Sequence, residues 1–451
     1  MSSALIPTNH LRNEARRTGR RVALLAKYPQ RDPAMPQFIS NHGVRMVEAY
    51  LRAAELDGLE LRVYDMTQAD VQPLVQHLLE FDPDIVGFSA YLWNFPFFVE
   101  VATQLKQQDA GRLIVFGGPS ARPSMLEQPP FQFAKHFIDA LVINEGEITF
   151  TEMVRLTDRS AATLAGIAGV ALPSHAGWLE TPVRPLGDLN ELPSPYTMGL
   201  VPSGGLGVLQ TYRGCPFTCS FCEWGTMESP KRVRQVDHLC REFEAMDANQ
   251  TVGVLAVDAG LNLNPLAFEN LHQAAQETKY FANRQLICEV YPAKVLDSHI
   301  QFLQNVGMPL VGVGLQSFDN EVLAHVDRSY DEQRFHDNLR RLTDVAGVAV
   351  EIIMGLPGDS PENFRRSFWK ARSLPCALRV YHCVVLPSAL MVRAPASYEM
   401  KYDCVNLKMQ SCLGWSEPAL HAETQFLAQQ AIKQNGRIGE FFWVFPPPDE
   451  C

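Results

Sequence analysis

Short apolar runs alternate with amphipathic stretches along most of the chain, in two series. That alternation constrains the fold more than any other feature. The first series reads "RRVALLAKYP", "GVRMVEAYLRAAELDG", "LELRVYDM", "ADVQPLVQHLLEFDP", "DIVGFSAYLW", "FPFFVEVATQLKQQ", "GRLIVFGGPS", "DALVINEGE" and "ITFTEMVRLTD". Runs of four to eight β-branched or apolar residues between helical stretches predict a parallel sheet covered on both faces. Five such units predict an α/β, doubly wound, flavodoxin-like (Rossmann-type) domain over residues 21–160, after an N-terminal tail over 1–20. Ligands of such domains sit beyond the carboxyl ends of the strands, here "KYP", "YDM", "SAYLWN", "GGPS" and "NEGE".

A stretch rich in Gly, Pro and Ser, including "GDLNELPSPYTMG" and "VPSGGLG", reads as a linker over residues 161–205. The second series then begins. "VLQTYR", "VGVLAVDA", "RQLICEV", "PLVGVGLQ", "VAVEIIMG" and "ALRVYHCVVL" are six strand candidates. Helical stretches lie between them, the first being "QVDHLCREFEAM". Six βα units with right-handed crossovers predict a partial (β/α)6, TIM-like barrel over 206–387. Residues 388–451 form a small C-terminal segment, irregular apart from one helix in "EPALHAETQFLAQQAIKQNG" and an aromatic end, "GRIGEFFWVFPPPDEC", expected to pack as a tail. No role is assigned to Cys451.

Composition excludes several classes. With 50 acids against 39 bases, the net charge of −11 argues against a nucleic-acid or anionic-membrane partner. The basic stretch "RNEARRTGRR" reads as a solvated tail. No apolar run is long enough to span a bilayer, and no apolar signal core stands at the start, so the cytoplasm is the expected compartment.

All ten cysteines lie at or after position 215: Cys215, Cys219, Cys222, Cys240, Cys288, Cys376, Cys383, Cys404, Cys412 and Cys451. Cys215, Cys219 and Cys222 share one loop, spaced C-x3-C-x2-C directly after the first strand of the second series. Structural zinc sites want four ligands, usually as two pairs, and no second Cys/His pair is near; His238, on the following helix, is a single histidine. A [4Fe–4S] cluster held by three thiolates keeps one iron open for a small chelating molecule.

"CPFTCSFC" resembles the signature of the radical S-adenosylmethionine (SAM) enzymes, with Phe221 in the aromatic place before the third cysteine. Cys215, Cys219 and Cys222 would then be the metal ligands. SAM would chelate the open iron, and its reductive cleavage would give a 5′-deoxyadenosyl radical. The resemblance extends to "ICEVYPAKV", where Glu289 would face SAM, and to "VGLQSFDNEVLAHVDRSY", with Gln316, Ser317 and Arg328. It also covers "EIIMGLPGDS", with Glu351 near the ribose and Gly355, Leu356 and Pro357 at the adenine turn, and "VDAGLNLNP", with Asp258 and Asn262 at polar places.

A flavodoxin-like domain ahead of such a barrel resembles the cobalamin (B12)-dependent radical SAM enzymes, class B methyltransferase-like, over about residues 20–390. "VFGGPSARP" would place Gly117, Gly118, Pro119 and Ser120 against the nucleotide tail of cobalamin. "NEGEITF" would contribute Glu145, Gly146 and Glu147, and "GFSAYLWN" would lie near the corrin. The D-x-H-x-x-G motif that supplies a lower cobalt ligand elsewhere is absent; "AKYPQRDPAM" has no His, and His42, His77 and His136 fall outside the pattern. A lower face without a nitrogen donor favours transfer of methyl from methylcobalamin.

The resemblance therefore implies a methyltransferase that methylates an unactivated carbon of a small-molecule or peptide-derived substrate. Its cofactors would be a [4Fe–4S] cluster, SAM and cobalamin, and its electron donor a flavodoxin or ferredoxin. The same parts also suit a ring contraction, cyclisation or rearrangement without methyl transfer, and, outside catalysis, a cobalamin-binding sensor. Tyr91, Trp93, Trp224, Tyr291 and Tyr381 are aromatic candidates for a substrate pocket, with interface packing as the plainer reading. Glu223 adjoins Cys222 without an assigned role.

Overall fold

The computed structural model describes residues 17–29, 38–226 and 232–448. The chain divides into two compact units, Met1–Val201 and Pro202–Cys451.

The first unit runs β1 (Arg21–Lys27), α1 (His42–Ala53), β2 (Glu60–Met66), α2 (Val71–Phe81), β3 (Ile85–Ser89), α3 (Phe95–Gln108), β4 (Leu113–Gly117), β5 (Ala140–Val142), α4 (Glu147–Arg155), α5 (Ala161–Leu164), β6 (Val170–Ser174) and β7 (Gly177–Glu180). Its sheet has the order β2-β1-β3-β4-β5-β6-β7. The first five strands are parallel and doubly wound, with the order reversing between β1 and β3. Alternation along β1 explains the layering. Val22, Leu24 and Ala26 share a buried cluster with Val44 and Leu51 of α1 and Phe150, Met153 and Val154 of α4. Phe88 of β3 and Phe116 of β4 meet Phe98 and Phe95 of α3.

The linker expected over 161–205 is structured in part. β6 pairs antiparallel with β5, and β7 with β6, so a hairpin extends the sheet. Val170, Ala171 and Leu172 are buried, which is why this run joins the sheet. Further on, Leu189 and Leu192 bury against Met46. The Gly/Pro-rich composition marks the turns but hides the apolar residues between them.

The second unit runs β8 (Leu206–Leu209), β9 (Tyr212–Arg213), β10 (Arg232–Val233), α6 (Val236–Ala248), β11 (Gly253–Ala256), α7 (Pro265–Thr278), β12 (Gln285–Val290), α8 (Asp297–Gln304), β13 (Met308–Gln316), α9 (Asn320–Ala324), α10 (Glu332–Thr343), β14 (Gly347–Met354), α11 (Pro361–Arg372), β15 (Ala377–His382), α12 (Leu390–Arg393), β16 (Lys401–Tyr402), β17 (Met409–Ser411), α13 (Glu417–Lys433), β18 (Arg437–Ile438) and β19 (Phe442–Phe445). The six expected strands form a parallel series in the order β8-β11-β12-β13-β14-β15. Side-chain caps start several helices: Asn264 on Ala267, Asp331 on Arg334, Ser360 on Asn363 and Ser416 on Ala419.

The aromatic C-terminal end is a strand rather than a tail. β19 pairs antiparallel with β15, and β18 with β19, so residues beyond 387 complete the sheet. Trp443 and Phe445 alternate into the core beside Leu378 and Val380, a period-2 pattern too short to stand out among neighbouring aromatics. Cys451 lies outside the described residues.

Candidate active site in the second unit and strand ends of the first

The cysteine loop is anchored before it begins. Asp258, just past β11, accepts hydrogen bonds from Thr211 N (2.8 Å), Thr211 Oγ1 (2.6 Å) and Tyr212 N (3.2 Å). Burial pushes its carboxyl up to about 6 despite those donors. Asn262 exchanges two hydrogen bonds with the backbone of Tyr291 (2.8 and 2.9 Å). Asp258 and Asn262 thus hold backbone at the strand ends.

Cys219 is buried, Cys215 and Cys222 are half-buried, and none of the three is in a disulfide. Cys222 N donates to Cys219 O (3.1 Å), which closes a turn between them. Arg328 places Nη1 3.8 Å from Cys219 Sγ and donates through Nη2 to Gly314 O. Its guanidinium lies 5.4 Å from the Tyr291 ring centre, and Lys294 lies 5.2 Å from that of Phe217. A cavity of about 230 Å³ opens here, lined by Phe217, Cys219, Tyr291, Ala324, Asp327, Arg328 and Ser329.

Arg393, on α12, grips the loop: Nη1 donates to Cys219 O (3.1 Å) and Cys222 O (3.4 Å), and Nη2 to Thr218 O. Glu223 accepts from Ser388 N (3.1 Å), a second tie from the same C-terminal segment. Among the described residues, no three His, Cys, Asp or Glu side chains stand gathered for a metal ion. The surroundings nonetheless fit an iron–sulfur cluster. Three cysteines outside any disulfide share the loop, a cation stands beside one sulfur, and the donors Ser220 Oγ and Arg328 Nε are buried with no protein partner.

Glu289 of β12 and Glu351 of β14 form a carboxyl pair across β13. The Glu289 side chain lies over Gly312, its partner in register, and reaches Glu351, which is in register with Gly314. A Cβ on Gly312 would lie 2.3 Å from Glu289 Oε1, so only glycine leaves room for the crossing. Arg379 Nη1 (2.9 Å) and Tyr381 Oη (3.1 Å), both on β15, donate to Glu351 Oε1. Burial, and then the charge of Glu351, push the Glu289 carboxyl well above the usual carboxylate range.

Other expected site residues also have defined places in the fold. Gln316 ends β13 at an irregular register with φ of 77°. Ser317 Oγ accepts from Asp319 N (3.1 Å) in the turn into α9. Leu356 O accepts from Trp415 Nε1 (3.1 Å), and Gly355 O from Cys412 Sγ (3.6 Å), so the Gly355–Leu356–Pro357 turn is packed by a C-terminal segment. Phe221 packs against the large buried cluster of this unit, and Trp224 is half-buried. Sequence reading missed Arg379 and Arg393. Arg379 left a signal, since it alternates with Tyr381 in an otherwise apolar strand. Arg393 left none, because nothing local marks its partners.

The first unit gathers its expected residues at the carboxyl ends of β3, β4 and β5. Ala90 N donates to Gly117 O (2.7 Å), and Ser120 N to Ala90 O (3.1 Å). Gly118 has φ of 93°, and a Cβ there would lie 2.8 Å from Ala90 O. Pro119 follows it, and Ser120 is buried. Glu145 is half-buried, Gly146 caps α4, and Glu147 is buried in its first turn. Tyr91 and Trp93 stack at 4.5 Å, and Trp93 Nε1 (3.1 Å) and Asn94 Nδ2 (3.0 Å) donate to Lys27 O. A Cβ on Gly117 would make only ordinary van der Waals contact, with Val142 Cβ at 3.8 Å and Phe88 O at 4.0 Å, so a methyl group is tolerated there.

The B12 binding domain family matches residues 35–154, and the Radical SAM superfamily matches residues 209–368. The chain is 29% identical over 335 residues to 2-(S-pantetheinyl)-carbapenam-3-carboxylate methyltransferase of Streptantibioticus cattleyicolor, which covers 68% of this chain and 48% of that protein. It is also 29% identical over 378 residues to the cobalamin-dependent radical SAM methyltransferase TokK of Streptomyces tokunonensis, covering 76% and 54%. The chain thus spans about half the length of these relatives. In fold it resembles OxsB, a cobalamin-dependent SAM radical enzyme solved with aqua-cobalamin and SAM (TM-score 0.68, 14% identity, 93% of this chain and 67% of that one). It also resembles TsrM of Kitasatospora setae, a radical SAM methyltransferase solved with tryptophan and a SAM analogue (TM-score 0.64, 18% identity, 83% and 75%).

A doubly wound B12 binding domain joined to a radical SAM partial barrel defines a two-domain radical SAM protein. The chain carries both a B12 binding domain and a Radical SAM domain and resembles the cobalamin-dependent radical SAM methyltransferase TokK across both, and these domains imply a [4Fe–4S] cluster, SAM and cobalamin as cofactors. Among the described residues, no helix is long and apolar enough to cross a membrane.

Proposed function

We propose that the chain is a methyltransferase acting on an unactivated carbon of a small-molecule or peptide-derived substrate. The observation that carries this reading is the union of both cofactor domains in one chain whose curated relatives are named as methyltransferases. Cys215, Cys219 and Cys222 would hold the cluster. Glu289, Gln316, Arg328 and Glu351 would face SAM, and Gly117, Gly118 and Ser120 would border cobalamin. When bound, the cluster with SAM supplies a hydrogen-abstracting radical, and cobalamin supplies a methyl group.

The chain's own residues position and insulate. Arg328 sets positive charge beside Cys219 Sγ, and Arg393 fixes the carbonyls between the thiols. Glu289 and Glu351 face each other across β13, and Arg379 and Tyr381 hold Glu351 in place by donating to its Oε1. Two carboxyls and a guanidinium thus meet inside the sheet, polar groups of both kinds for a ligand that carries charges of both signs. Free thiols suit a reducing compartment such as the cytoplasm, with a flavodoxin or ferredoxin as electron donor.

The test is anaerobic reconstitution with iron, sulfide and hydroxocobalamin, followed by incubation with SAM and dithionite. About four irons and one cobalamin per chain are expected, with both 5′-deoxyadenosine and S-adenosylhomocysteine formed. Deoxyadenosine without S-adenosylhomocysteine would replace methyl transfer by a radical rearrangement. Neither product would leave a cobalamin-binding sensor.

A further inference from the structure

The three thiols lie within the span that matches the Radical SAM superfamily, yet one group that ties their loop lies outside it. Arg393 follows that span by more than twenty residues. Its guanidinium donates to three carbonyls of the loop, those of Thr218, Cys219 and Cys222, the last two at 3.1 and 3.4 Å. These are the carbonyls of two of the three cysteines and of the residue before Cys219. A carbonyl that accepts a fixed donor cannot rotate freely, so its residue's Sγ is constrained as well. The segment bearing Arg393 is itself anchored. Ala389 and Leu390 are buried, and Ser388 N donates to Glu223 just past Cys222. Two ties of opposite polarity therefore join residues 388–393 to the cysteine loop.

Charge points the same way. Among the described residues, no carboxylate forms an ion pair with Arg393, so its positive charge is directed at the loop carbonyls. A [4Fe–4S] cluster held by three thiolates is anionic and gains a further negative charge on reduction. A guanidinium held against the ligand backbone stabilises the reduced form more than the oxidised one. It raises the reduction potential without touching the metal.

Resting on the reading of the loop as a cluster site, we propose that Arg393 is a positioning residue. It preorganises the thiols of Cys219 and Cys222 and sets the potential of the bound cluster. Removing the fork and the charge together loosens the site and makes reduction harder. Retaining the charge alone separates the two effects, because lysine cannot span three carbonyls in one plane.

The test uses the full chain with its cluster reconstituted, as wild type, Arg393→Gln and Arg393→Lys. Iron release to a chelator and the midpoint of the cluster's reduction, followed by EPR, are the readouts. For Arg393→Gln, release about ten-fold faster and a more negative midpoint are expected. For Arg393→Lys, release is faster while the midpoint stays near wild type. Unchanged release and midpoint in Arg393→Gln would overturn the proposal, as would a lysine variant indistinguishable from the glutamine one. Should Arg393→Gln fail to fold, Arg393→Lys alone decides, since wild-type release rates in it would overturn the positioning role. A wild-type chain that takes up no iron would instead overturn the cluster reading itself.

Discussion

The strand ends of the two units are organised by different forces. In the first unit, the ends of β1, β3 and β4 are joined by neutral groups: backbone of Ala90, Gly117 and Ser120, the amide of Asn94 and the indole of Trp93. The ions nearby, Arg45 and Arg52 with Asp65 and Glu48, balance one another. In the second unit the ends carry ions: Glu289, Glu351 and Arg379 inside the sheet, Arg328 against Cys219, and Arg393 against the loop. A neutral, backbone-lined end selects a ligand by room and shape. A charged end selects by ionic state. The contrast suits the proposed division, a bulky cobalamin in one unit and a charged cluster with zwitterionic SAM in the other.

The largest test of this division is Cys219→Ala. Iron after reconstitution should fall from about four per chain to less than one, while cobalamin uptake stays at the wild-type level. Loss of both cofactors together would break the comparison. Next comes Arg379→Met, which leaves Glu351 without its cation. Breaking a buried pair on one side costs about 3–5 kcal/mol, and the partial exposure of Arg379 reduces this to about 2–4 kcal/mol. Urea unfolding read by peptide-resolved proteolysis should show that loss in β12–β15, and Glu351→Gln in the same chain should recover part of it.

The pH dependence should differ in sign. In the second unit, burial raises Asp258 and Asp359 to about 6, and Glu289 is raised as well. Carboxyls with raised folded values stabilise most when protonated, so this unit should lose stability as pH rises from about 4 to about 7. For Asp258, a rise from 3.8 to about 6 corresponds to about 3 kcal/mol. In the first unit, the hydrogen bond from Arg17, with the charges of Arg17 and Arg112, holds Asp82 below its usual value. That contribution is present near neutrality and fades as pH falls below about 4. Proteolysis of each unit across pH 3–8 measures both slopes; parallel slopes would remove the contrast.

The same contrast explains what was legible in the sequence. Parallel strands buried on both faces are written as apolar runs, so β1, β3, β4 and β11–β15 stood out. The strands that finish each sheet did not. β6 sits in a Gly/Pro-rich stretch, and β19 looks like a generic aromatic tail, because an antiparallel edge partner needs only two inward residues. Within the site, the spacing of Cys215, Cys219 and Cys222 is local and readable. Arg379 and Arg393 act across 28 residues and more than 170 residues, distances at which no spacing rule operates. The polarity of Ser317, Asp258 and Asn262 was readable, but not that their hydrogen bonds go mostly to backbone.

The smallest stability effect is expected at the glycine turn after β4, and it depends on which glycine is changed. Gly118→Ala forces a side chain into positive φ and against Ala90 O, costing about 1–3 kcal/mol. It therefore cannot separate a folding role from a binding role. Gly117→Ala can. Its Cβ would have 3.8 Å of clearance to Val142, so unfolding should shift by less than about 0.5 kcal/mol. If cobalamin approaches this edge, the added methyl group should still lower cobalamin uptake several-fold, while iron uptake is unchanged. Normal cobalamin uptake in Gly117→Ala would move the ligand away from the Gly117–Ser120 turn and leave those small residues to the packing of β3 against β4.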